Sequence, residues 1–268
     1  MTTLSNLNSF GEEIEKRLLL RTSPLAIKLL EKEEDIPEGA IRPKRDLGYH
    51  LGLCQGFAKS RREKEIVAML KEDNWCFTPV LAFGLAEPPD FFLEGYTNYP
   101  ERIASLEAAK YLARSGRQYP SLEYGKYIGV VSAPLKTANF TPDLVVIYCN
   151  SAQLRCLLLG IKYKDGYQVT STLEPGGSCV QSIVPVIKSG ECQVAVPCGG
   201  DHMHAMARDD EMIFSLPTDR LEDLMLGLRH FDEIGAGCSS LNPDMRPDYQ
   251  LSENYVKVGK MMGMELHE

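Results

Sequence analysis

The apolar residues of this chain come in short runs. Even the longest, such as Leu144 to Cys149, have the length of a β-strand, and none approaches the roughly 20 residues needed to cross a bilayer. Between them lie turns rich in Gly, Pro, Asp and Asn, and segments with helical spacing. That alternation limits the chain to an α/β or α+β fold, a mixed sheet with flanking helices, read as a single domain over 1–268.

The pattern predicts helices at Glu12 to Leu20, His50 to Ala58, Glu101 to Arg114, Ala152 to Ile161, Val180 to Ile187 and Asp219 to Phe231. Strands are predicted at Leu25 to Leu30, Ile66 to Leu70, Tyr127 to Ala133, Leu144 to Tyr148, Tyr167 to Thr172, Gln193 to Val196 and Met212 to Leu216. Both halves run strand, helix, strand, turn, cysteine, apolar helix, then a strand ending at proline. This order is read as an internal repeat of 24–134 and 142–217, two pseudo-symmetric strand-helix-strand-helix-strand halves with Cys76 opposite Cys179.

The formal charge of −8 opposes binding to a phosphate backbone or an anionic membrane surface. The one dense basic cluster, Lys59, Arg61, Arg62 and Lys64, is interrupted by Glu63 and Glu65, carries no interleaved aromatic, and reads as the solvated end of a helix. Neither nucleic acid nor membrane is expected as a partner. Met1 to Gly11 is polar and lacks the basic start and apolar stretch of a signal peptide, so the expected location is cytoplasmic. In that compartment the eight cysteines are expected to be free thiols or metal ligands rather than a disulfide framework.

The cysteines separate by context. Cys149 ends an apolar strand and Cys156 lies among leucines on a helix, where cysteine behaves as a small hydrophobe. Cys192 and Cys198 bracket one extended segment of roughly 20 Å, too far apart to share one ion or cluster. Cys238 lies in a glycine-rich loop, where it is either a ligand or without a role. Cys54, Cys76, Cys179 and Cys198 each stand at the end of an element beside a turn, where outward backbone N–H groups lower a thiol pKa. Four thiolates are what an iron–sulfur cluster needs, although no Cys-x-x-Cys spacing is present.

Two other chemistries compete. Cys198 with His202 and His204 combines donors that suit zinc. The turn Gly199-Gly200-Asp201 could instead cradle an anionic metabolite on its backbone N–H groups, with no metal present. No Walker A, Gly-x-Gly-x-x-Gly, Gly-x-Ser-x-Gly or His-Glu-x-x-His sequence occurs.

Several segments carry a resemblance: Pro24 to Lys28, Cys54-Gln55, Cys76 with Gly84, Gly129 to Leu135, Pro142 to Tyr148, Cys179, Pro197 to Asp201 and Asp210 to Pro217. From about Arg21 to Leu228 the chain resembles the prokaryotic domain of unknown function numbered 169, found in archaea and anaerobic bacteria. The resemblance implies no particular activity. It does imply Cys54, Cys76, Cys179 and Cys198 as the cysteines of the family pattern, while His202 departs from it by standing where arginine is expected. The expectation is therefore a protein with a cysteine-ligated metal cofactor, a [4Fe-4S] cluster, in electron transfer to a redox partner protein or redox chemistry on a small molecule.

Overall fold

The computed structural model describes residues 3–116, 118–238, 251 and 253–264. Six strands, β1 (Leu25–Leu30), β2 (Val67–Leu70), β3 (Gly129–Pro134), β4 (Leu144–Cys149), β5 (Gln193–Ala195) and β6 (Met212–Pro217), form one sheet. Their order is β2-β3-β1-β4-β6-β5. Every strand pairing is antiparallel. Among the described residues, parallel pairing is confined to two isolated bridges, Ile41 with Val67 and Leu51 with Asn74.

The described helices are α1 (Leu4–Leu18), α2 (Leu53–Ala58), α3 (Phe77–Ala82), α4 (Asp90–Leu93), α5 (Leu106–Ser115), α6 (Ser151–Lys162), α7 (Ser178–Gln181), α8 (Val184–Ser189), α9 (Gly199–His204), α10 (Leu221–Glu233) and α11 (Glu253–Met261). The central strands explain the unbroken apolar runs, because both of their faces are covered. From β4, Val145, Ile147 and Cys149 pack with α1, α6 and α10, whereas Leu144, Val146 and Tyr148 pack with residues of α2, α7 and α8.

Helix α1 begins eight residues before the predicted start at Glu12, with Thr3 as its cap. Its buried stripe Leu7, Gly11, Ile14 and Leu18 continues the helical spacing backwards, and Gly11 lets the helix lie on Leu135 and Lys136. The predicted strand Tyr167 to Thr172 is not one. It runs beside the edge strand β5 but binds it through side chains: the Tyr167 and Ser171 hydroxyls accept the N–H groups of Cys192 and Val194, at 2.9 and 2.8 Å. The predicted helix Val180 to Ile187 is split into α7 and α8, with Pro185 in the first turn of the second.

Not every cysteine is free. Cys156 of α6 is joined to Cys238, just beyond α10, as a disulfide with Cα atoms 6.2 Å apart. The reason is tertiary, since α6 and α10 cross at Gly160 and Gly227 and carry the two sulfurs to one place from 82 residues apart. The remaining six are unpaired.

Candidate metal centre

Four short helices on one face of the sheet carry the four cysteines singled out in the sequence. Cys54 is the second residue of α2, which opens on Gly52, and Cys179 is the second residue of α7, which opens on Gly177. Cys76 and Cys198 are the capping residues of α3 and α9. These helices pack together, α2 against α7 and α9, and α3 against α7. Cys54 and Cys179 are buried, and Cys76 and Cys198 are half-buried.

The thiols lie in one another's electrostatic field. Burial pushes the Cys179 thiol well above its ordinary range, and Cys54, Cys76, Cys198 and Asp201 push it further. Cys54 is raised by burial and then by Asp201, Cys198 and Cys76. Burial also raises Cys76, against hydrogen bonds from Thr78. At Cys54, Cys76 and Cys179 the element ends therefore do not lower the pKa as the sequence reading expects, because desolvation and like-charge crowding outweigh the few N–H groups of such short helices. Buried thiols crowded as Cys54 and Cys179 are can be held as thiolates together only if a cation shares the space.

Gly200 shows how close two of them are. A Cβ at this position would lie 3.6 Å from the Cys198 sulfur and 3.9 Å from that of Cys54. Gly200 thus faces the two thiol sulfurs. Asp201, expected to help cradle an anion, is fully buried. Its carboxylate accepts hydrogen bonds from Ser178 and, at 3.1 Å, from Tyr148. Burial raises its pKa against those bonds. Among the described residues no three His, Cys, Asp or Glu side chains converge closely enough to hold a single metal ion. His202 contacts the Ala207 carbonyl through Nδ1 at 3.2 Å, and His204 sets its ring edge-on to Trp75, with centroids 5.3 Å apart.

The rest of the expected distribution follows burial. Cys149, Cys156 and Cys192 sit in the core on the opposite face of the sheet, away from the four. Arg61 is a correction: instead of ending a helix in solvent it is buried, with its guanidinium 3.9 Å from the centre of the Tyr148 ring and donating to the Ala205 carbonyl at 3.0 Å. Sequence reasoning also missed Trp75, the single tryptophan. Its indole N–H donates to Gln55 at 2.8 Å, and Gln55 in turn accepts from Gly52, so the Cys54-Gln55 pair fixes both the helix start and the ring beside it. Adjacency of Trp75 to Cys76 was the available signal. Nothing local marked Tyr148 or Ser178.

Residues 13–227 match the DUF169 family, described as Uncharacterised ArCR. The chain belongs to that family. All four candidate thiols of this DUF169 chain fall inside the matched segment, and the disulfide partner Cys238 falls outside it. The chain is also similar to Uncharacterized protein MJ0308 of Methanocaldococcus jannaschii, at 21% identity over 234 residues, 85% of this chain and 97% of the relative. No solved structure matches the chain.

Proposed function

We propose that this protein binds an iron–sulfur cluster, most simply [4Fe-4S], through Cys54, Cys76, Cys179 and Cys198. One observation carries the reading: of six unpaired cysteines, these four stand at the starts of the mutually packed helices α2, α3, α7 and α9 on one face of the sheet, while Cys149 and Cys192 lie on the other. Such a cluster, when bound, supplies one-electron redox chemistry. The chain's own part is to place four thiols on adjoining helices with Cys54 and Cys179 out of water, hold α9 through Asp201, and leave the Cys76 and Cys198 side half-open. A redox partner protein or a small-molecule substrate would be met at that half-open side.

A single zinc ion at Cys198, His202 and His204 is the weaker reading, because His202 Nδ1 contacts the Ala207 carbonyl and the His204 ring packs edge-on against Trp75. An anionic metabolite on the Gly199-Gly200 turn is disfavoured by the buried Asp201 carboxylate next to it. The protein is read as cytoplasmic, and among the described residues no helix is long and apolar enough to cross a membrane. Purification without air, followed by iron, acid-labile sulfide and visible absorption measurements, tests the proposal. Iron and sulfide in about equal amounts with a brown colour are expected. Colourless, iron-free anaerobic protein that also fails to take up iron and sulfide on reconstitution would overturn it.

A further inference from the structure

The sheet order reads the same from both edges. Inward from one edge it runs β2, β3, β1, and inward from the other β5, β6, β4, with β1 and β4 antiparallel neighbours at the centre. The first, second and third strands of each half thus occupy matching places. Within that frame the cysteines fall into register. Cys54 lies between the first and second strands of its half, 13 residues before Val67, and Cys179 lies between the first and second strands of the other, 14 residues before Gln193. Each is buried and is the second residue of a helix opening on glycine. Cys76 and Cys198 lie between second and third strands, and each is half-buried and caps a six-residue helix. The pairing of Cys76 with Cys179 expected from sequence does not follow this strand order.

We infer that the thiol centre is a two-fold site assembled from two copies of one half-site, with Cys54 equivalent to Cys179 and Cys76 equivalent to Cys198. The inference rests on the cofactor reading for the identity of what is bound, but the equivalence belongs to the protein. It assigns the ligands to a buried pair and an accessible pair, each drawn from both halves. Four thiolates in two equivalent pairs suit a cluster that takes one cysteine per iron. The halves diverge after the capping cysteine. The stretch from α9 to β6 is a short turn, whereas that from α3 to β3 carries α4, α5 and Tyr119, whose ring lies against Gly177 beside Cys179. The symmetry is therefore one of ligands, and the α4–α5 excursion is an addition to one half of the site.

Two measurements test the equivalence. The first follows native metal-free protein alkylated with iodoacetamide, each cysteine's rate being read by peptide mass spectrometry. Cys76 and Cys198 should react at similar rates, about tenfold faster than Cys54 and Cys179, which should resemble each other. The second reconstitutes Cys54→Ser, Cys76→Ser, Cys179→Ser and Cys198→Ser with ferrous iron and sulfide, and compares their iron content and electron paramagnetic resonance. Two spectral classes, split as 54 with 179 and 76 with 198, support the inference. Rates or spectra that group 54 with 76 and 179 with 198, or that separate all four, overturn it. Wild-type protein that takes up no iron sinks the cofactor reading alone, and the alkylation pattern then decides this one, as it also does where a serine variant fails to fold.

Discussion

Gly200 faces Cys54 across the thiol centre, close enough that a single methyl group would sit 3.9 Å from the Cys54 sulfur and 3.6 Å from that of Cys198. These are ordinary contact distances, so alanine fits the metal-free fold. Because Gly200 lies within α9, Gly200→Ala should keep stability within about 1 kcal/mol of wild type, and the methyl should occupy space a cofactor needs. Iron per chain after reconstitution is expected to fall by about half or more, while Gly199→Ala, whose nearest neighbour is the end of Met203, should retain it. Full iron content in Gly200→Ala would refute the placement.

Tyr148 and Ser178 are the two donors to the buried Asp201 carboxylate. Tyr148→Phe removes one donor and leaves a buried charge less well paired, at a cost of about 1–3 kcal/mol. Because Asp201 keeps Ser178, α9 should hold its place and the iron content should be kept. Urea unfolding together with iron analysis checks both parts.

A Cβ at Gly227 would lie 2.1 Å from the Gly160 carbonyl oxygen, where α10 crosses α6. Gly227→Ala must push the two helices apart and should lower stability by about 2–4 kcal/mol. The cysteine helices lie on the other face of the sheet, so the alkylation rates of Cys54 and Cys179 should not change. Thermal unfolding and peptide alkylation read the two effects separately.

Burial pushes the Cys149 thiol from 9.0 up to about 12, with Glu211 adding to it. The folded state therefore holds its proton longer than the unfolded state does. Stability from this group is complete below pH 9.0 and is lost as pH rises from there toward about 12. Between pH 8 and 10.5 the loss amounts to about 2 kcal/mol. Cys149→Ala should lack that part of the alkaline destabilisation, and urea midpoints of both proteins at the two pH values measure it. Equal slopes would show that the thiol does not titrate this way.

Much of the fold was legible because the strands are buried on both faces. Such strands read as unbroken apolar runs, and Leu25–Leu30 and Leu144–Cys149 agree with prediction to within a residue. The edge was less legible. Tyr167 to Thr172 has strand-like composition, but whether it joins the ladder depends on which groups reach the N–H donors of β5, and there the hydroxyls of Tyr167 and Ser171 do so first.

Local sequence was enough to set the fold class, the apolar segments and the four element-end cysteines, since each depends on periodicity and turn chemistry within about ten residues. Packing set what those cysteines experience. Local N–H groups favour low thiol pKa values, but burial and the approach of three other thiols and Asp201 reverse the sign at Cys179. Packing also brought Cys156 to Cys238 and laid Arg61 over Tyr148. Each is a relation across many tens of residues, and its partner is set by how helices and strands pack, which no local stretch of sequence encodes.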